Sequence, residues 1–157
     1  MNRRSFLSSS VIALLTLSLN STAIGQSLYN LSKQEWKQRL SKQEYAVMRD
    51  EKTEAPGTSP LLDEKRSGIY HCKGCDLPLY NASTKYNSKT GWPSFYRALP
   101  HSIDTKEDSS LFSTRTEVHC RRCKSHLGHI FDDGPKPTGK RHCLNGISLV
   151  FHPEIKN

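Results

Sequence analysis

The sequence predicts a mainly β fold: antiparallel sheets in one small domain, with short helices on the N-terminal side. Three observations lead there. From Gly68 onward the chain breaks into short β-like pieces separated by turn residues. Ahead of them stand two Ser-Lys-Gln-Glu patterns that mark helix starts. Four of the five cysteines form two Cys-x-x-Cys pairs, Cys72/Cys75 and Cys120/Cys123, with 44 residues between the pairs. Such spacing suits a structural metal that staples two hairpins.

The first segment to justify is the N-terminus, which reads as an address. Arg3-Arg4-Ser5-Phe6-Leu7 precedes a mostly apolar run from Val11 to Leu19, and Ala23-Ile24-Gly25 supplies small residues before a cut. The run is too short to remain as a bilayer-spanning helix, so no stable membrane insertion is expected. The arginine pair followed by Phe-Leu resembles a twin-arginine export signal, with a general-secretion signal as the alternative. Residues 1–25 are therefore expected to be a signal peptide, and 26–157 a single domain working in the periplasm or otherwise exported. Removing Arg3 and Arg4 lowers the net charge from +8 to +6, because residues 1–25 hold no acidic residue. The remaining bases are scattered, which favours a solvated surface over a nucleic-acid face. A hydrophobic content of 34% and a mean hydropathy of -0.66 describe a core-poor chain that gains from a staple.

The helices come next. Ser32-Lys33-Gln34-Glu35 and Ser41-Lys42-Gln43-Glu44 are capping boxes, and Trp36, Leu40, Tyr45 and Met48 form an apolar stripe on one or two short helices packed outside the main sheet. Residues 54–60 form a loop by composition. The strand-like pieces follow: 68–71, 77–80, 102–106, 111–118, 127–131 and 147–152. Lys-Thr-Gly, Glu-Asp-Ser-Ser and Asp-Asp-Gly-Pro are turns between them.

Four thiolates complete a tetrahedral zinc set, and one structural Zn2+ per chain is expected on Cys72, Cys75, Cys120 and Cys123. In an oxidising compartment disulfides are the alternative. A thioredoxin-like redox pair would need one Cys-x-x-Cys at a strand-to-helix junction, and here there are two in hairpin texture.

That leaves Cys143. A cysteine attacks as its thiolate, a form favoured by nearby positive charge. In an extended chain Arg141 and Asn145, two residues to either side, share its face. His126, His129 and Asp133 lie upstream, within reach of one hairpin. The competing reading is a buried small hydrophobe, since free cysteines are often buried.

Gly91-Trp92-Pro93-Ser94-Phe95, His126 through Pro135 (HLGHIFDDGP) and Arg141-His142-Cys143-Leu144-Asn145 resemble the signature blocks of the methionine-R-sulfoxide reductases, and the cysteine pairs fall where that family's zinc-bearing members carry theirs. The likeness runs from about Ser32 to His152. It implies an oxidoreductase in which Cys143 attacks the sulfur of an R-configured methionine sulfoxide, free or in proteins, and becomes a sulfenic acid. It implies His129 as the proton source with His126 assisting, and Arg141, Asp133 and Asn145 setting charge and hydrogen bonding around the nucleophile. Trp92, with Phe95 beside it, would receive the substrate methyl group. His142 is given no catalytic role. Many members carry a resolving cysteine where this chain has Thr90. The implied enzyme is a one-cysteine form, re-reduced by an external thiol, either thioredoxin-like or small. Two other classes stay open: an exported zinc-ribbon-like binding module, and a thiol redox protein whose Cys143 reacts with peroxide.

Overall fold

The computed structural model describes residues 29–109 and 114–155. The expected signal segment, and residues 111–113 of the expected 111–118 strand, lie outside the described residues.

Both capping boxes form. Ser32 starts α1 (Lys33–Arg39) and Ser41 starts α2 (Lys42–Met48), each hydroxyl accepting from the N3 amide while the N3 glutamate reaches back to the cap N–H. That reciprocal pairing satisfies amides the helix leaves unpaired, which is how helices this short hold. Their apolar stripe belongs to the main core: Trp36, Leu40, Tyr45 and Met48 are all buried in one cluster with the sheet residues. Arg49 lies over the Trp36 ring at 4.7 Å and donates to the Cys123 carbonyl at 2.9 Å, docking the helical unit on the second cysteine pair.

Among the described residues nine antiparallel strands follow: β1 (Gly68–Cys72), β2 (Pro78–Asn81), β3 (Lys85–Tyr86), β4 (Ser94–Phe95), β5 (Ile103–Asp108), β6 (Arg115–Cys120), β7 (His126–Phe131), β8 (Arg141–Leu144) and β9 (Leu149–Pro153). They build a three-stranded sheet, β2-β1-β9, and a six-stranded sheet, β3-β4-β8-β7-β6-β5. The expected 147–152 strand begins later, because Gly146–Ser148 turns as a short 3-10 helix before β9. Between the sheets Phe95 meets Tyr70 edge-on at 4.9 Å and Tyr80 at 4.7 Å, aromatic contacts that bring large buried area and preferred ring geometry together.

Gly128 shows why β7 and β8 can lie so close. A side chain there would collide with the Cys143 carbonyl oxygen, so only hydrogen is tolerated at that rung. Among the described residues no helix is long and apolar enough to cross a membrane.

Candidate active site and metal centre

Each cysteine pair sits at the end of a strand, with Cys72 closing β1 and Cys120 closing β6. In both, the residue after the second cysteine, Asp76 or Lys124, takes a left-handed conformation and donates its N–H to the carbonyl of the first cysteine at 2.8 and 2.9 Å. This tight turn aims two sulfurs inward. All four thiols are buried and free, and the two hairpins meet with Cys72–Cys123 and Cys75–Cys120 sulfurs 3.5 Å apart. A disulfide needs about 2.05 Å, whereas sulfurs around a tetrahedral zinc stand about 3.8 Å apart, given a Zn–S bond of about 2.3 Å. The thiolate set therefore fits a structural metal. Both knuckles lie in hairpins, which removes the thioredoxin-like alternative.

The six-stranded sheet sets one row of paired residues across its full width: Tyr86, Ser94, Cys143, His129, Glu117 and Lys106. Directly opposed residues on antiparallel strands share a face, so β8 and β7 hold Cys143 and His129 side by side. The Cys143 sulfur lies 3.8 Å from the Thr90 hydroxyl, which meets the Ser88 hydroxyl at 2.8 Å, and Ser88 in turn meets the Ser94 hydroxyl at 2.7 Å. Arg141 forms a two-pronged pair with Asp133, both contacts 2.8 Å, and its guanidinium stacks over Phe131 at 4.3 Å. Asp133 first, and the Cys143 sulfur after it, hold the guanidinium above its ordinary value.

The two histidines have different settings. His129 is partly buried, with Nε2 on Asp108 Oδ2 at 2.8 Å, and Arg115 also reaches Asp108 at 2.7 Å. Burial lowers the His129 pKa, and the Asp108 contact opposes it. His126 is only 2% exposed, with Nδ1 on Glu117 Oε1 at 2.7 Å. Burial pushes it down to about 4, against the pull of Glu51 and Asp108. The ring centroids stand 5.4 Å apart.

Trp92 is partly buried and donates from its indole nitrogen to the Glu54 carbonyl at 3.2 Å. It borders a cleft of about 660 Å³ shared with Tyr86, Lys85 and Lys89. A larger cavity of about 750 Å³, between α2 and the start of β9, holds none of the expected site residues.

Two expectations need correction. Phe95 is 0% exposed and packed between Tyr70 and Tyr80, so it is core and offers no surface to a substrate. It alternates with Ser94, and the strand that puts Ser94 on the Cys143 row points Phe95 the other way. Asn145 does not direct its hydrogen bonds at the nucleophile. Its oxygen accepts from the Glu54 N–H at 2.9 Å and its nitrogen donates to the Leu127 carbonyl at 3.2 Å. Asn145 thus holds Glu54, whose carbonyl accepts from the Trp92 indole and whose carboxylate accepts from the Gly146 and Ile147 amides at 2.5 and 3.0 Å. Gly91 permits this loop to close, since its carbonyl receives the Gly57 amide at 2.8 Å and a Cβ would fall 2.8 Å from Pro56.

Asp108, Glu117 and Glu54 are site residues that sequence reading missed. Asp108 looked like part of a turn and Glu54 like part of a loop. A glutamate one residue before Val118 on a β-pattern carried one signal, a charge at a position that alternation leaves to either face.

A family model described as the SelR domain matches residues 40–153. A peptide methionine sulfoxide reductase MsrB of Alteromonas mediterranea is 48% identical over 126 residues, covering 80% of this chain and 89% of that one. The MsrB of Methanosarcina barkeri is 46% identical over 132 residues, 83% of this chain and 93% of its own. The chloroplastic reductase B1 of Arabidopsis thaliana is 48% identical over 124 residues, 78% of this chain and 61% of its own. With a cysteine–histidine row on the sheet, a four-thiol centre beneath it and these relatives, the chain belongs to the SelR-domain family of peptide methionine sulfoxide reductases B.

Proposed function

We propose that this protein is a peptide-methionine (R)-S-oxide reductase that uses Cys143 as nucleophile, and the placing of Cys143 beside the His129–Asp108 pair is the observation that carries the reading. The Cys143 thiolate attacks the sulfoxide sulfur. As the oxygen moves to Cys143 it takes a proton, methionine leaves, and the thiol becomes a sulfenic acid. The substrate sulfur gains two electrons and the cysteine sulfur loses two. With its Nε2 engaged by Asp108, His129 has Nδ1 left to face the reaction, and it delivers the proton from there as an imidazolium. Arg141, held by Asp133, keeps positive charge near the thiolate. The indole of Trp92, fixed by Glu54, gives the S-methyl group an apolar wall.

Thr90 cannot resolve the sulfenic acid, and the other four cysteines are enclosed in the metal centre. An external thiol attacks Cys143 instead, expels water and leaves a mixed disulfide that a second thiol releases. Zinc is the ion assigned to Cys72, Cys75, Cys120 and Cys123. When bound it ties the β1–β2 hairpin to the β6–β7 hairpin and supplies structural stability. The N-terminal address fits work in the periplasm, where surface methionines of folded proteins are exposed to oxidants.

Turnover of R- and S-sulfoxides with dithiothreitol tests the reading. R-selective turnover that vanishes in Cys143→Ser is expected. Equal turnover of the two forms, or activity that survives the substitution, overturns it.

A further inference from the structure

Glu117 is a buried carboxylate that the reaction above does not use. It is 2% exposed, and three groups face it: His126 Nδ1 at 2.7 Å from Oε1, Lys106 Nζ at 2.9 Å from Oε2, and His129 as its cross-strand neighbour. Lys106 also reaches Glu51 at 2.7 Å. A carboxylate buried this deeply keeps its charge only with a partner, and Lys106 is that partner, through an ion pair to Oε2 that does not meet hydrogen-bond geometry. An ionised carboxylate offers acceptors alone. A lone pair on His126 Nδ1 would meet it acceptor to acceptor at hydrogen-bond distance, so Nδ1 must carry the proton. The ring's other nitrogen, Nε2, is buried with no hydrogen-bond partner among the described residues. A proton placed there would be a buried donor with nothing to receive it, at a cost of about 1–3 kcal/mol.

We infer that Glu117 is a positioning residue which locks His126 as the neutral Nδ1–H tautomer, making its Nε2 a fixed acceptor that cannot protonate the substrate. The two histidines then divide the work. His129, backed by Asp108 and Arg115, is the acid, and His126 is a neutral acceptor beside it. Lys106 sets this division by making Glu117, rather than His126, the charged member of the buried pair. The catalytic consequence rests on the reductase reading. The tautomer itself does not, and it is measured without substrate.

The test is long-range 1H–15N correlation on 15N-histidine-labelled, zinc-loaded enzyme at neutral pH, with His126 signals identified by their loss in His126→Asn. Neutral His126 protonated at Nδ1 is expected, unchanged in Glu117→Gln, whose carbonyl oxygen still accepts, and lost in Glu117→Leu. R-sulfoxide kcat is expected to fall about tenfold in Glu117→Leu and to recover most of that in Glu117→Gln. An Nε2–H tautomer or an imidazolium in the wild type overturns the inference. So does an unchanged tautomer in Glu117→Leu. Should the leucine variant not fold, the wild-type and glutamine spectra decide. Absence of sulfoxide turnover together with the Nδ1–H tautomer would refute the reductase reading and leave the positioning intact.

Discussion

Substituting cysteine for Thr90 should convert this enzyme to one that forms an internal disulfide. The Thr90 hydroxyl stands 3.8 Å from the Cys143 sulfur, and a cysteine there places its sulfur on nearly the same line with a longer bond from Cβ. Closing to about 2.05 Å then needs a shift of about 2 Å at most, which the exposed Lys89 turn beside it can share. The bond would close a loop of 54 residues, from position 90 to 143. Lost chain entropy in the unfolded state is worth about 4 kcal/mol for such a loop. Against this, Thr90 gives up its hydroxyl contact with Ser88, a neutral hydrogen bond contributing about 1 kcal/mol. The oxidised variant should therefore be more stable than its own reduced form by about 4 kcal/mol, and than the wild type by about 3 kcal/mol, read as shifts in urea midpoint. Intact-mass analysis after one equivalent of R-sulfoxide, with no thiol present, gives the chemical answer. Wild type should be heavier by one oxygen, and Thr90→Cys lighter by two hydrogens. A variant that keeps the oxygen would show that position 90 does not face the nucleophile, and a wild type that loses two hydrogens would refute the one-cysteine cycle.

Three further outcomes are expected. Stripping the metal with a strong chelator, or replacing Cys120 by serine, should unfold the domain, because structural zinc contributes on the order of 10 kcal/mol; metal content by mass spectrometry and loss of the thermal transition check this. His142 is 8% exposed, its Nδ1 is hydrogen-bonded with the Tyr80 hydroxyl at 3.0 Å, and burial lowers its pKa from 6.5 to about 4. The unfolded chain takes that proton first, so the contribution is full above pH 6.5 and falls away toward pH 4, by about 3 kcal/mol; urea midpoints against pH should lose that slope in His142→Phe. Glu54→Ala removes the acceptor for the Gly146 and Ile147 amides and should cost about 2 kcal/mol, while Glu54→Gln, which keeps one carbonyl oxygen, should cost less; both are read from urea midpoints.

Much of the fold was legible because its signals are local. Capping boxes need only Ser and Glu three apart, and they gave both helix starts. Turn residues bounded the strands, and alternation around Cys143 put Arg141 on its face. What stayed hidden depends on which strands become neighbours. Order β3-β4-β8-β7-β6-β5 is a long-range fact, so neither Glu117 beside His126 nor Asp108 beside His129 can be read from spacing. Phe95 failed for a local reason: it was grouped with Trp92 by adjacency, although the period of a strand separates it from the Ser94 face.

Adjacency also obscured the difference between the two histidines. His126 and His129 are three residues apart in one motif, and as letters they invite one shared role. The sheet gives each ring a different carboxylate, and the carboxylates differ in burial. Asp108 ends the edge strand β5 with its side chain 15% exposed and Arg115 paired to it, which leaves His129 the better placed of the two rings to exchange a proton. Glu117 is enclosed, and its charge is already matched by Lys106, so a second charge on His126 would have to be carried inside the domain. On the proposed division of roles, one ring titrates during turnover and the other is held fixed. The same two strands, β6 and β7, carry Glu117, His126 and His129 and are rooted at the second cysteine pair, so a metal held by the four thiols would brace the strands on which that asymmetry depends.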